Sequence, residues 1–150
     1  MANRLKPLLP TVVSIEQSGH VEGMKILNNI IQAHALVNSL SSKRKDGMIM
    51  QLDIDKAYDK PNWIYIRKVL INFGFDHNWV RWVLALVTSS SFSILVNRSP
   101  SETFIPSRGL RQGDPLSPFP FILMMEGLCR SIKNSKEVGK IKGLQLSDRG

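Results

Sequence analysis

Asp53, Asp55 and Asp59 fall close together in Leu52-Asp53-Ile54-Asp55-Lys56-Ala57-Tyr58-Asp59, directly behind the apolar run Met48-Ile49-Met50-Gln51-Leu52. Carboxylates in that arrangement suit phosphoryl transfer to a hydroxyl. That reaction asks little covalent help of a protein, but it needs two divalent cations held about 4 Å apart to clamp the attacking and leaving oxygens. The ligands must then sit on a rigid element. The run over 48–54 is short, follows Gly47 and ends in carboxylates, which predicts a buried strand with Asp53 at its end. Strand alternation points Asp53 away from the core side chains on either side of it. An unpaired carboxylate buried there would cost several kcal/mol, so a cation or a basic neighbour is expected beside it.

Two other readings of the acidic set can be weighed. An EF-hand loop starting at Asp53 fails, because its sixth position would be Tyr58 instead of Gly and its twelfth Ile64 instead of Glu. A plainer one stands: a D-x-D pair at a strand end can close a turn and cap the next helix.

The elements that would position these residues are mixed. Ile26, Ile30, Ala33, Val37 and Leu40 share one face of a helix expected from about Gly23 to Leu40. Trp63, Ile66, Leu70 and Phe73 mark a second helix, with Gly74 placed to end it. A third begins near Asp76, a favourable N-cap, and is expected to bury Trp79, Val83 and Leu86. Phe92 to Val96 and Glu102 to Ile105 read as short strands joined by a turn at Asn97-Arg98-Ser99-Pro100. Phe121, Met125, Leu128 and Ile132 define a last helix beginning soon after Pro115, and Ile141 to Leu146 starts one more strand. No repeat or low-complexity tract appears, and the fold class expected is α+β.

Bulk properties narrow the partners. The chain has 150 residues, with 20 Lys plus Arg against 12 Asp plus Glu, a net charge of +8. That balance favours a polyanion such as nucleic acid, or an anionic membrane surface. Basic residues gather at Lys43, Arg44 and Lys45, at Arg108 and Arg111, and at Lys133, Lys136, Lys140 and Lys142. Each cluster also reads as an ordinary solvated surface. The apolar stretch Phe119 to Leu128 is about half a membrane span and contains Pro120 and Glu126, so it reads as a buried helix. A lone cysteine, Cys129, and an N-terminus without a secretory apolar run fit an intracellular protein.

Two segments together sharpen the reading. Asp53 to Asp59 resembles motif A of reverse transcriptases. Arg108-Gly109-Leu110-Arg111-Gln112-Gly113-Asp114-Pro115-Leu116-Ser117-Pro118, followed by Phe119, Phe121, Ile122 and Leu123, resembles their motif B, in the right order and at a suitable distance. The wording is similar to non-LTR retrotransposons of the LINE type, especially those common in plants. The linking segments Tyr58 to Trp63, Phe73-Gly74-Phe75 and Asn97 to Ser101 are similar too, as are Ala2 to Pro7 and Glu16 to Gly19 in the late fingers.

The resemblance implies a partial fingers region over 1–47 and a partial ferredoxin-like palm over 48–150, with motif A at 48–59 and motif B at 107–134. It implies RNA-directed DNA polymerase activity in the intact parent, with Mg2+ as cofactor and an RNA template, a DNA primer and deoxynucleoside triphosphates as partners. Asp53 takes the place of the catalytic metal-binding carboxylate, with the Ile54 carbonyl as a second contribution. Tyr58 matches the aromatic position beneath the incoming sugar, where a bulky ring excludes a 2′ hydroxyl. Arg111, Gln112 and Gly113 match positions that approach nucleotide and template, and a glycine permits close backbone approach.

The family's aromatic-Ala-Asp-Asp hairpin, expected after motif B, has no counterpart, since no Asp-Asp pair occurs. The fold is therefore expected to be truncated before the second catalytic hairpin, and the chain alone to be inactive. The endonuclease, the rest of the palm and the thumb would belong to a longer polyprotein. Departures from the family pattern fall at His20, Met24, Asn28, Arg98 and Pro120. The last would cost roughly 3 kcal/mol in a helix interior. A non-catalytic nucleic-acid-binding remnant and an intron-encoded maturase-type polymerase are the competing readings. A membrane role is not expected.

Overall fold

Leu5, Leu9 and Val13 recur every four residues and all three are buried, as expected for side chains sharing one helical face. They belong to an N-terminal strap in the computed structural model, which describes residues 1–19, 21, 23, 25–43 and 48–143. The strap comprises α1 (Ala2–Leu5), a 3-10 turn (Lys6–Leu8) and α2 (Leu9–Val12), and runs on without helix or strand through residues 13–19. Pro7 and Pro10 fall in first-turn positions, where a missing N–H removes no intrahelical bond.

Helix α3 spans Ile26–Lys43, a few residues later than its expected bounds. Its apolar face is not covered among the described residues: Ile26, Ile30 and Val37 are 61%, 47% and 49% exposed. Asn29 ties its first turns to the strap's end, its amide donating to the Glu16 carbonyl at 2.7 Å and to the Ser18 hydroxyl at 3.0 Å.

Two capped helices follow. Asn62 accepts from the Ile64 and Tyr65 amides at the start of α4 (Trp63–Asn72), and Asp76 accepts from Asn78 and Trp79 at the start of α5 (His77–Thr88), each satisfying amides the helix leaves free. Ile66, Val69, Leu70, Val80 and Val83 fill the core between them. Of the expected α5 face, Val83 is buried, Trp79 stacks on Phe75 at 4.7 Å and Leu86 is exposed. The α4 turn closes at Gly74 as anticipated, with the Phe75 amide donating to the Leu70 carbonyl.

Strands β1 (Leu95–Val96) and β2 (Ser99–Pro100) form one antiparallel hairpin, extended by an isolated bridge between Phe92 and Phe104. The two expected longer strands shrink to this pairing because Asn97 and Arg98, at φ 50° and 68°, make a two-residue turn. The ladder therefore closes at Val96 and Ser99 instead of at Val96 and Glu102.

Helix α6 (Pro118–Glu137) packs on α4. Its buried face is Pro120, Ile122, Leu123 and Glu126, which corrects the expected face of Phe121, Met125, Leu128 and Ile132. Apolar residues surround the first half of this helix, so periodicity alone does not choose a face; contact with α4 does. Pro120 is accommodated, because it lies in the first turn, where no intrahelical N–H bond is lost.

The largest correction concerns residues 48–54, which form no strand. Met48, Met50 and Leu52 are 76%, 65% and 74% exposed. A strand is held by its ladder neighbour, and no neighbour pairs here among the described residues. His20, Met24, Arg44, Lys45 and the end of the expected 141–146 strand lie outside the described residues.

Candidate nucleic-acid interface

Motifs A and B meet through backbone. After a turn at Asp55 to Asp59, in which Lys56 takes φ 49° and the Asp59 amide donates to the Lys56 carbonyl, the chain lies against Gly109 and Leu110. The Leu110 amide donates to the Tyr58 carbonyl at 2.6 Å, and the Gly109 amide to the Pro61 carbonyl at 2.8 Å. Trp63 Nε1 closes the joint by donating to the Gly109 carbonyl at 2.7 Å. Gly109 has φ 96°, and a Cβ built there would stand 3.1 Å from the Asp59 carbonyl oxygen and 3.2 Å from that of Tyr58. A side chain there would be strained by the positive φ and crowded against that backbone, which glycine avoids.

Side chains add a second joint. The Tyr58 ring stacks on Phe121 of α6 at 5.0 Å with 12° between planes, so the motif A aromatic is fixed by the motif B helix. Beyond it, Asp114 accepts from the Leu116 amide at 2.7 Å and shapes the turn that enters α6.

The expected site residues divide into two groups. Tyr58 is held at the junction. Arg111 lines a cavity of about 320 Å³ with Asp59 and Arg108, walled by Phe92 and Phe104, whose rings lie 6.0 Å apart. Neither guanidinium has an ion pair or hydrogen bond among the described residues, so both remain available to an anion. Gln112 and Gly113 are exposed in the following turn, Gly113 at φ 84° with nothing within 4 Å of a built Cβ.

Asp53 and Ile54 are not brought to these residues by any hydrogen bond or ion pair among those described, and both are exposed. Asp55 is 3.7 Å from Lys60 instead. The described residues hold no group of three or more His, Cys, Asp or Glu able to bind a metal ion. A two-cation clamp therefore does not fit them, since Asp53 offers one isolated carboxylate where several converging oxygens are needed. The expectation that Asp53 would sit buried at a strand end is corrected along with the strand.

Sequence reasoning passed over Glu126 and Asn62. Glu126 carried a signal, an acidic residue inside an apolar helix with Arg130 four positions on. Asn62 carried another, a capping residue just before the periodic α4 face.

These joints link the two segments that carry the reverse transcriptase resemblance, and comparison with known proteins agrees. The family model described as reverse transcriptase (RNA-dependent DNA polymerase) matches residues 1–146. The chain belongs to that family. It is 35% identical over 100 residues to the retrovirus-related Pol polyprotein from type-2 retrotransposable element R2DM of Drosophila melanogaster, covering 67% of this chain and 9% of that protein. It is 27% identical over 124 residues to the Pol polyprotein from type-1 retrotransposable element R2 of Popillia japonica, covering 82% and 17%. A transposon TX1 protein of Xenopus laevis is 28% identical over 114 residues, covering 76% and 9%. The matches bear out the resemblance to non-LTR retrotransposon polymerases. The chain spans less than a fifth of the length of these three relatives, at 9%, 17% and 9%. Among the described residues no helix is long and apolar enough to cross a membrane.

Proposed function

We propose that this chain is the fingers-to-palm part of a polymerase that adds deoxynucleotides to a DNA primer on an RNA template, and that alone it binds nucleic acid without extending it. The observation that carries the reading is the backbone joint from Tyr58 and Pro61 to Gly109 and Leu110, because it sets the motif A aromatic and the motif B turn in one rigid frame. In this reading Tyr58 packs beneath the incoming sugar, its back supported by Phe121. Arg111 takes a phosphate of nucleotide or template, and Gln112 and Gly113 offer an exposed turn to the same ligand. Asp53 and the Ile54 carbonyl would hold a magnesium ion only together with further carboxylates, which the described residues do not bring to them. The palm is of the ferredoxin-like kind and begins near residue 48, with the fingers before it.

Two arginines without an ion pair or hydrogen bond among the described residues, beside an aromatic-walled cavity, support retained binding even without a cation site. The test is affinity for an RNA·DNA hybrid across a salt series, with primer extension on RNA in magnesium alongside. Binding should weaken linearly in log affinity against log salt, and extension should not exceed a buffer control. Salt-independent or absent binding would refute the interface, and measurable extension would refute the inactivity. The maturase-type alternative has no observation in its favour here.

A further inference from the structure

Glu126 takes no part in the motif A–B joint, yet it is 2% exposed in the middle of α6. Its Oε2 accepts from the Ser14 hydroxyl at 2.7 Å and the Ser14 amide at 3.0 Å. Its Oε1 accepts from Arg130 Nε at 3.0 Å. Arg130 reaches onward: a terminal nitrogen donates to the Val12 carbonyl at 2.8 Å, and its guanidinium lies 4.2 Å over the Phe73 ring. One carboxylate thus ties together the strap, α6 and the end of α4, across a sequence separation of 112 residues. One turn further along, Lys133 pairs with Glu16 at 3.1 Å, continuing the seam at the surface.

The strap runs beside α6 in a consistent direction. Its first residues, Met1 and Ala2, share a cavity of about 440 Å³ with Arg111, Asp114, Pro115 and Leu116 of the motif B turn, and its last meet Glu126 and Lys133. Between these ends Leu5, Leu9 and Val13 are buried in the core. The strap is therefore held at its far end by charge and along its length by apolar contact. Its near end lines the same cavity as Arg111 and Asp114 of the motif B turn.

We propose that Glu126 is a positioning residue: by clamping Ser14 directly and Val12 through Arg130, it locks the strap along α6 and so fixes the fingers side of the chain against the motif B turn. Its effect on ligand binding rests on the reading given under Proposed function; the clamp itself does not. Burial alone would raise the Glu126 pKa, but the two Ser14 donors and Arg130 outweigh it and hold the carboxyl below its usual range. The other charged or titratable groups near it are Glu16 from the strap, Cys129 and Lys133 on α6, and Lys68 and Tyr65 of α4, which line a groove with Arg130. Acid should therefore release the strap as the carboxylate is protonated.

Hydrogen exchange on the whole chain tests this in the wild type, Glu126→Gln, Ser14→Ala and the surface control Lys133→Ala. In E126Q the strap amides over 5–16 should exchange at least about tenfold faster, the loss of charge-assisted bonds being worth roughly that factor. Amides over 111–117 should rise with them, while those of α4 and α5 hold. The same pattern should appear in the wild type on acidification and at smaller amplitude in S14A, whereas K133A, which breaks only the exposed pair with Glu16, should stay near the wild type. Hybrid affinity should fall several-fold in E126Q. A uniform rise across strap, α4 and α5 would overturn the proposal, leaving Glu126 a general stabiliser. A rise in the strap that leaves 111–117 unmoved would overturn the positioning claim. If E126Q does not fold, S14A decides by the same pattern, since it keeps the charge and removes one donor. Wild-type chain that ignores the hybrid would sink the binding reading, and the exchange pattern would still decide the clamp.

Discussion

Replacing Gly109 with alanine should break the joint between the two motifs, and the size of the effect follows from what surrounds it. At φ 96° a side chain costs about 1–2 kcal/mol in backbone strain alone. The added Cβ would also press at 3.1–3.3 Å on backbone atoms of Tyr58 and Asp59, which no rotamer change can relieve. If 109 and 58–59 separate, three hydrogen bonds are weakened: Leu110 to Tyr58, Gly109 to Pro61, and Trp63 to Gly109. At about 1 kcal/mol each, the total loss is roughly 2–5 kcal/mol. Gly113→Ala is the internal control. It shares a positive φ of 84° but has nothing within 4 Å of the new Cβ, so strain of about 1–2 kcal/mol is all it should show. Urea unfolding followed by tryptophan fluorescence measures both midpoints. G109A should also shift emission to the red as the Trp63 indole loses its partner. Equal midpoints for the two variants, with unchanged emission, would refute the claim that this contact organises the site.

Arg98→Gly should stabilise the chain by about 1 kcal/mol, because Arg98 occupies a left-handed turn position at φ 68° suited to glycine; a lower midpoint in urea would contradict this. Arg108→Ala with Arg111→Ala should leave unfolding within about 0.5 kcal/mol of wild type while lowering the log–log salt slope of hybrid binding by about 2, and an unchanged slope would count against their phosphate role. Stability should hold from neutral pH down to the ordinary carboxylate range, then fall below about pH 4. The sign follows from Glu126 and Glu16, both held below their usual pKa: their contribution is present above the unfolded value and disappears as pH drops through the folded one. E126Q should flatten that acid limb, which a pH series of thermal melts would show. Asp53→Asn should leave stability within about 0.5 kcal/mol of wild type, as an exposed side chain without partners among the described residues, whereas a large loss would indicate the buried strand end first expected.

What could be seen in the sequence was what local chemistry decides. Asp76 and Gly74 begin and end helices, respectively, through bonds to residues a few positions away, so their types announce their places. Ile66 and Leu70 recur four apart on the buried face of a short helix whose Arg67, Lys68 and Asn72 face solvent, although Ile64 and Tyr65 do so as well. The unread features depend on distant contacts. Met48 to Ile54 has the composition of a strand, but a strand exists only where another strand offers its ladder, and none does among the described residues. The same lack of a covering partner leaves Ile26, Ile30 and Val37 exposed although their spacing is helical and apolar. On α6 the reading failed for the opposite reason. Apolar residues were abundant, and the face that packs was chosen by α4 and by the Glu126 clamp, neither of which periodicity encodes.

The candidate site divides along the same physical line. From Tyr58 onward motif A is held by bonds that this stretch of chain makes with itself, through Leu110, Gly109, Trp63 and Phe121. Before Tyr58 it depends on sheet pairing, and there Asp53 and Ile54 stand in solvent. Recognition and metal binding thus draw on different sources of rigidity. Preorganised donors aimed at a phosphate need only a turn fixed against a helix, which Arg108 to Gly113 already has at its entrance. A cation clamp needs several carboxylate oxygens converging on one point from separate elements, and the residues described offer one. On the proposed reading, binding of nucleic acid and its extension therefore rest on different residues of this chain, and the hybrid-binding and primer-extension assays test them separately.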